Sequence, residues 1–176
     1  MVSSSRRGIF CVEGAWSSKL TDPATVRPLL ELLKVMDVAD FIHRQVETGD
    51  TLLDLARRWG QKQHARFPIG YFAFHGAPGT ICLGSGREVD LEAFAGALVG
   101  RAEGKVCCFG SCSLLKVAEA EVIRLFRPTG VQAVVGYDRP IGWVESPRSM
   151  CSSSTPSVTT SECTQPSSVS GETTPG

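Results

Sequence analysis

Two short segments of the sequence place residues suited to nucleophilic catalysis directly after apolar runs. His75-Gly76 follows the run YFAF, and Gly110-Ser111-Cys112 follows the run VCCF. A cysteine thiolate is a strong nucleophile, and an imidazole can take up its proton and return it, so the two residue types together suit acyl transfer. This pattern supports the hypothesis that Cys112 is a nucleophile and that His75 is its acid and base.

The elements around these segments are expected to bring the two side chains together. The apolar runs predict a third strand over 69–76 and a fourth over 105–110, joined by one helical crossover. Such crossovers are almost always right-handed and leave the two strands parallel, and functional groups gather at the carboxyl ends of parallel strands. A helix predicted over 114–127 would also favour the thiolate form of Cys112 through its dipole.

The rest of the sequence predicts the fold that positions these two strand ends. Apolar runs predict strands, and stretches with apolar residues at i, i+3 and i+4 predict the helices between them. Alternating strands and helices indicate an α/β fold, a three-layer sandwich whose mainly parallel sheet has helices on both faces. The predicted strands are 8–14, 39–46, 69–76 with a hairpin continuation at 80–84, 105–110 and 131–137, and the predicted helices are one capped by Asp22-Pro23, 48–62, one capped by Asp90, and 114–127.

Composition divides the chain once. Residues 1–145 carry all of the predicted elements, whereas about two thirds of residues 146–176 are Ser, Thr or Pro. A segment with so few large apolar side chains cannot bury enough surface to offset the entropy cost of ordering. The sequence therefore predicts an α/β domain followed by a disordered tail.

Charge and hydropathy limit the classes of binding partner and the cellular compartment that we expect. The 18 Lys and Arg residues equal the 18 Asp and Glu residues, which gives no electrostatic reason to expect nucleic acid or an anionic membrane as a partner. No apolar run approaches the roughly 20 residues of a transmembrane helix. The N-terminal run GIFCV is too short for a signal peptide. We expect a cytoplasmic protein.

The seven cysteines predict neither a disulfide framework nor a metal site. Most of them lie in apolar runs, as reduced core cysteines do, and no CxxC pair or HxxxH segment accompanies them. Walker, dinucleotide-binding and GxSxG motifs do not occur either. A tyrosine-phosphatase loop would need Arg at the position of Ala118. We therefore expect no metal and no cofactor.

The segments YFAFHG and VCCFGSCS, in this order of elements, resemble the His-Gly and Cys strand ends of the caspase-like cysteine peptidases. That group includes caspases, metacaspases, separase, gingipains and bacterial CHAT domains. The resemblance implies a His-Cys dyad that hydrolyses peptide bonds, with His75 as base and acid and Cys112 as nucleophile. It also implies an oxyanion hole formed by the main-chain amides of Gly76 and Cys112. The expected partners are a peptide or protein substrate and, for a regulated bacterial effector, a regulatory protein.

The resemblance also places the substrate's P1 side chain near the end of the first strand and beside the nucleophile. Glu13 lies at the first of these positions, where a carboxylate would favour a basic P1 residue, and Ser111 stands where metacaspases commonly carry an acid. Asp138, after the fifth strand, is a third candidate contact, with a surface ion pair to Arg139 as its alternative. The caspase pentapeptide is absent, and the Ser/Thr-rich tail replaces the sixth strand or further helix usual in the fold after the fifth strand.

Each candidate residue also has a structural explanation. Cys112 could be a packing residue, Glu13 could cap a turn, and His43 suits a structural histidine because nothing pairs with it in the sequence. The second functional hypothesis is a catalytically inactive caspase-like module that acts as a protein-binding scaffold. A close His75–Cys112 pair at an open cleft would favour the enzyme, and a buried Cys112 would favour the scaffold.

Overall fold

The computed structural model describes residues 7–19, 21–84, 86–137 and 158–162, the last range by its backbone alone. Within these ranges the elements alternate largely as predicted, so the α/β class is confirmed. In chain order they are β1 (Gly8–Gly14), α1 (Arg27–Val35), β2 (Asp40–Val46), α2 (Gly49–Trp59), β3 (Ile69–Ala73), β4 (His75–Ala77), β5 (Thr80–Cys82), β6 (Glu88–Asp90), α3 (Leu91–Leu98), β7 (Val106–Phe109), α4 (Glu119–Phe126), β8 (Ala133–Tyr137) and β9 (Val158–Glu162), with 3-10 turns at Lys62–His64 and Arg127–Thr129.

The main sheet has six strands in the order β2-β1-β3-β7-β8-β9. The first five are parallel to one another, which confirms the predicted mainly parallel sheet. β9 pairs antiparallel with β8 at the edge. In the register, Cys11 of β1 lies opposite His43 of β2 and Tyr71 of β3, and Tyr71 lies opposite Cys108 of β7.

The two faces of the sheet are packed differently. Alternate residues of β1, β3 and β7 point to a core shared with α2, α3 and α4, because successive side chains on a strand face opposite sides. Aromatic rings from both layers meet edge to face at the centre of this core. α1 lies on the other face, where Lys34 Nζ is 5.9 Å from the ring centroid of Phe41. Three helices therefore pack on the core face of the sheet, and α1 is the helix on the other face.

The residues that begin the first three helices agree with the prediction in two cases and differ in one. Thr48 caps α2 and Asp90 caps α3, each by accepting a hydrogen bond from a main-chain amide of the first turn. The predicted cap at Asp22-Pro23 is wrong. α1 begins at Arg27, and Pro28 supplies the proline of its first turn.

The predicted third strand is two strands. β3 ends at Ala73, and His75 begins β4 in a separate antiparallel sheet of order β4-β5-β6. The predicted hairpin is confirmed as the pairing of β4 with β5. Its turn contains Gly79, whose φ of +71° lies in the left-handed region that favours glycine.

One short segment of the predicted disordered tail forms a strand. Val158–Glu162 is β9, which adds a sixth strand to the sheet where the sequence predicted none. The strand pairs along the whole of β8, which satisfies main-chain groups without requiring large apolar side chains. The rest of 146–176 lies outside the described residues. No helix of the described residues is long and apolar enough to cross a membrane.

Candidate functional site

The carboxyl ends of β3 and β7 bring the two predicted catalytic segments into contact at Gly76. A methyl group placed on Gly76 would lie 2.7 Å from the carbonyl oxygen of Cys112 and 2.9 Å from Cβ of Ser111. Real side chains do not approach so closely, so glycine is required for this contact. The segment that carries His75 is therefore packed main chain against main chain on the loop that carries Cys112.

The hydrogen bond of His75 determines which ring nitrogen is available as a base. Nε2 of His75 lies 2.7 Å from the main-chain oxygen of Trp16. A carbonyl oxygen only accepts, so Nε2 must carry a proton and donate it. In the neutral ring this leaves Nδ1 with its lone pair free to take up a proton. The indole ring of Trp16 contacts the imidazole edge to face, with ring centroids 5.3 Å apart.

Cys112 is half-buried and does not stand at the start of a helix. α4 begins at Glu119, and residues 112–115 form turns, so the expected effect of a helix dipole on this thiol is wrong. Ser113, the next residue, has a φ of 54°, a left-handed conformation that is uncommon outside glycine. Cys112 thus lies in a tight turn after β7.

Three of the other described cysteines belong to strands of the main sheet. Cys11 and Cys107 are buried, which confirms that Cys107 is a core residue, whereas Cys108 is half-buried. Burial raises the pKa of all three thiols, that of Cys108 to about 11, and the charge of Glu13 raises the pKa of Cys11 further. These three side chains stay protonated near neutral pH and are poor nucleophiles.

Glu13 is not at a surface that a substrate could reach, which corrects the prediction that it contacts the P1 side chain. The residue is 0 % exposed and belongs to β1. Its Oε1 accepts hydrogen bonds from the indole of Trp16 at 2.5 Å and the main-chain amide of Val26 at 2.7 Å. Its Oε2 accepts from the hydroxyl of Thr25 at 2.7 Å and lies 2.6 Å from Nε2 of His43. These four donors fill the acceptor positions of a carboxylate.

His43 has a partner that the sequence did not reveal, the buried carboxylate of Glu13. Its side chain is 8 % exposed and forms a close pair with Glu13. β2 lies beside β1 in the sheet, which puts the two residues on the same face at adjacent strands. The sequence carried one signal of this pairing. A glutamate inside the buried run GIFCVEG requires a partner, because an unpaired buried charge is very costly.

Of the other two predicted substrate contacts, one is buried and one lies outside the described residues. Ser111 is 0 % exposed, which corrects its assignment to the substrate, and its Oγ has no hydrogen-bond partner in the part of the chain that the structure describes. Asp138 lies outside the described residues. Among those residues, no three His, Cys, Asp or Glu side chains are grouped so that they could hold a metal ion.

Comparison with known proteins places the chain in a family without giving it an activity. No curated protein matches the sequence. A family model described as a family of unknown function, DUF6642, matches residues 6–148. This range contains β1 to β8 and both predicted catalytic segments. The chain therefore belongs to the DUF6642 family.

Proposed function

We propose that the protein is a caspase-like cysteine peptidase in which His75 and Cys112 form the catalytic dyad. The observation that carries the proposal is the contact at Gly76, which packs the histidine segment on the cysteine loop. A base and a nucleophile must be within reach of each other before their pKa values matter. His75 is also exposed, so a substrate can approach it.

The proposed reaction follows from the protonation state of the histidine. Nδ1 of His75 takes the proton of the Cys112 thiol, while Nε2–H stays bonded to the oxygen of Trp16. The thiolate attacks the peptide carbonyl, and the imidazolium returns the proton to the departing amine as the thioester forms. Water activated by the same imidazole then hydrolyses the thioester.

The proposed oxyanion hole consists of the main-chain amides of Gly76 and Cys112. Its support is the same close approach, since main-chain groups in van der Waals contact can direct two N–H donors to one oxygen. Two such donors would stabilise the negative oxygen of the tetrahedral intermediate. Neither donor depends on a side chain, so Gly76 and the turn at Cys112 must keep their backbone geometry.

The sheet supports the caspase-like assignment in one further respect. A sixth strand after the fifth parallel strand is usual in that fold, and β9 occupies this position, antiparallel to β8. The P1 preference stays open in the proposal. With Glu13 engaged by four internal donors, no described carboxylate of the predicted set is left to favour a basic residue.

The direct test is alkylation of each cysteine by iodoacetamide, followed by mass spectrometry from about pH 5 to about pH 9, a range that spans ordinary histidine titration. We expect Cys112 to react faster than N-acetylcysteine near neutral pH, because an adjacent histidine base activates a cysteine nucleophile. His75→Ala should remove this advantage. The matched control is His64→Ala, since His64 bonds to the oxygen of Arg58 far from the site. A Cys112 that reacts no faster than N-acetylcysteine, or whose rate is unchanged in His75→Ala, contradicts the dyad.

A second candidate function is the catalytically inactive protein-binding scaffold. The observation that favours it is the apolar surface of α1 and the residues after it. Leu32, Val35 and Met36 are 52 %, 84 % and 62 % exposed, and contiguous exposed apolar side chains mark many protein contacts. The alkylation experiment separates the two candidates, because a scaffold needs no reactive Cys112.

A further inference from the structure

Trp16 makes two hydrogen bonds, one to the buried Glu13 and one to the exposed His75, and so connects these two residues. Its indole N–H donates to Oε1 of Glu13, and its main-chain oxygen accepts from Nε2 of His75. Trp16 lies two residues after the end of β1, beyond the strand pairing. The indole hydrogen bond is therefore a side-chain anchor for the segment that presents this oxygen to the imidazole.

Glu13 is itself immobilised on every side. The amide of Val26 and the hydroxyl of Thr25 come from the segment before α1, and His43 comes from β2. Three separate parts of the chain thus converge on one buried carboxylate. A carboxylate with four short hydrogen bonds in a site without solvent cannot rotate, so its Oε1 offers a fixed acceptor to the indole.

We infer that Glu13 and His43 are positioning residues that act through Trp16 to hold His75 in its Nε2–H tautomer. The inference rests on the proposed function for its catalytic meaning, since a base at Nδ1 is required only if His75 acts on Cys112. The residues themselves do not touch the reacting atoms. Their effect is on the orientation and tautomer of the imidazole, through the chain His43–Glu13–Trp16–His75.

The structure supplies a matched pair of tryptophans for the test. Trp16→Phe removes the indole donor to Glu13 but keeps an aromatic ring and the main-chain oxygen. Trp59→Phe removes an indole donor of the same kind, which binds the oxygen of Phe67 at 2.8 Å in the core. Each variant loses one hydrogen bond, but of the two tryptophans only Trp16 is bonded to His75.

The measurement is the tautomer of each imidazole by long-range ¹H–¹⁵N NMR on the full chain, which has only three histidines to assign. Wild-type His75 should be in the Nε2–H form. Trp16→Phe should raise its Nδ1–H fraction by up to about fivefold, which is about 1 kcal/mol. Trp59→Phe should leave the fraction at the wild-type value. A wild-type His75 in the Nδ1–H form, or a fraction indifferent to Trp16→Phe, overturns the inference.

Glu13→Gln provides a second variant that keeps the shape of the side chain. An amide oxygen at Oε1 still accepts from Trp16 and Val26, so His75 should keep its wild-type tautomer. The amide nitrogen replaces Oε2 and donates towards His43, whose Nε2 must then lose its proton. We therefore expect His43 to change from the Nε2–H to the Nδ1–H tautomer. A change at His75 as large as that in Trp16→Phe overturns the inference, because the hydrogen-bond geometry at Oε1 would then not be the cause.

Alkylation of Cys112 in the same samples separates this inference from the proposed function. If the tautomers follow the expected pattern while Cys112 is unreactive throughout, the positioning inference stands and the peptidase proposal fails. If Cys112 reacts in a His75-dependent manner while the His75 tautomer ignores Trp16→Phe, the positioning inference fails and the peptidase proposal stands.

Discussion

At the scale of single residues, the buried Glu13 shows what a charge inside a sheet requires. Its carboxylate is removed from water, and the cost of that removal is compensated only because all acceptor positions are filled. His43 contributes one of these donors from the neighbouring strand. Loss of one partner of a buried pair is expected to cost more than loss of an exposed hydrogen bond, since the other partner stays buried.

His43→Ala should therefore lower the free energy of unfolding by about 1–3 kcal/mol, the cost of leaving a buried polar group without one of its hydrogen-bond partners. Urea denaturation measures this change. His64→Ala is the control, because the exposed bond of His64 to the oxygen of Arg58 is worth about 1 kcal/mol at most. Equal losses in the two variants would mean that the Glu13–His43 pair contributes no more than a surface contact.

The residues of the site differ in how far the sequence predicts them. His75 and Cys112 each follow an apolar run, so their positions at strand ends can be read without knowing the strand order. The Glu13–His43 pair depends on β2 lying beside β1, which alternation of strands and helices does not specify. The resemblance places Ser111 beside the substrate, because metacaspases commonly carry an acid at this position, but the residue is buried.

At the scale of elements, the start of α4 shows why apolar spacing can mislead. Leu114 and Leu115 are buried and continue the spacing of a helix. Their main-chain groups bond elsewhere, however. The oxygen of Leu114 accepts from the amide of Gly79, and the amide of Leu115 lies 3.4 Å from the oxygen of Tyr137. Tertiary partners thus replace the helical ones, and the helix begins only at Glu119.

Gly76→Ala tests the contact between β4 and the cysteine loop. Because the added methyl group would meet the oxygen of Cys112 at 2.7 Å, we expect the loop to shift, with a loss of about 1–3 kcal/mol of stability. The alkylation rate of Cys112 should change in the same variant.

Gly96→Ala is the matched control for this substitution. Gly96 lies inside α3, and no atom is within 4 Å of the added methyl group. Alanine in a helix interior is favoured over glycine by about 0.5–1 kcal/mol, so this variant should be more stable than the wild type. Thermal and urea unfolding should show a loss of stability in Gly76→Ala and a gain in Gly96→Ala. A Gly76→Ala protein as stable and as reactive as the wild type would contradict the close packing at this point.

At the scale of the whole molecule, the sheet separates an aromatic core from a face that carries ionisable side chains. Cys11, Tyr71 and Cys108 lie side by side across β1, β3 and β7. Burial raises the pKa of each of them, and it raises that of Cys107 on the core face as well. The folded protein consequently holds these protons at a pH where the unfolded chain releases them.

This difference predicts a loss of stability in alkaline solution. A thiol whose pKa is raised by folding contributes stability that is complete below the unfolded value of about 8.5 and is lost as the pH rises towards the folded value. For Cys108 that folded value is about 11. Urea unfolding should therefore give a free energy that falls above about pH 8.5, by at most about 1.4 kcal/mol per pH unit for each such thiol. Cys108→Ala should flatten this slope, and an unchanged slope would show that Cys108 does not contribute to it.

The assignment of His75 to β4 has a consequence for how the proposed dyad is held together. Cys112 follows a strand of the six-stranded sheet, whereas His75 begins the three-stranded one. The two groups therefore belong to two separately hydrogen-bonded sheets, which Phe74 connects along the chain. The sheets also contact each other at Gly76 and through the hydrogen bond from the amide of Gly79 to the oxygen of Leu114. The distance between the two residues of the proposed dyad therefore depends on these contacts between the sheets. A substitution that weakens the contacts would separate the histidine from the cysteine while every strand of the large sheet stayed paired.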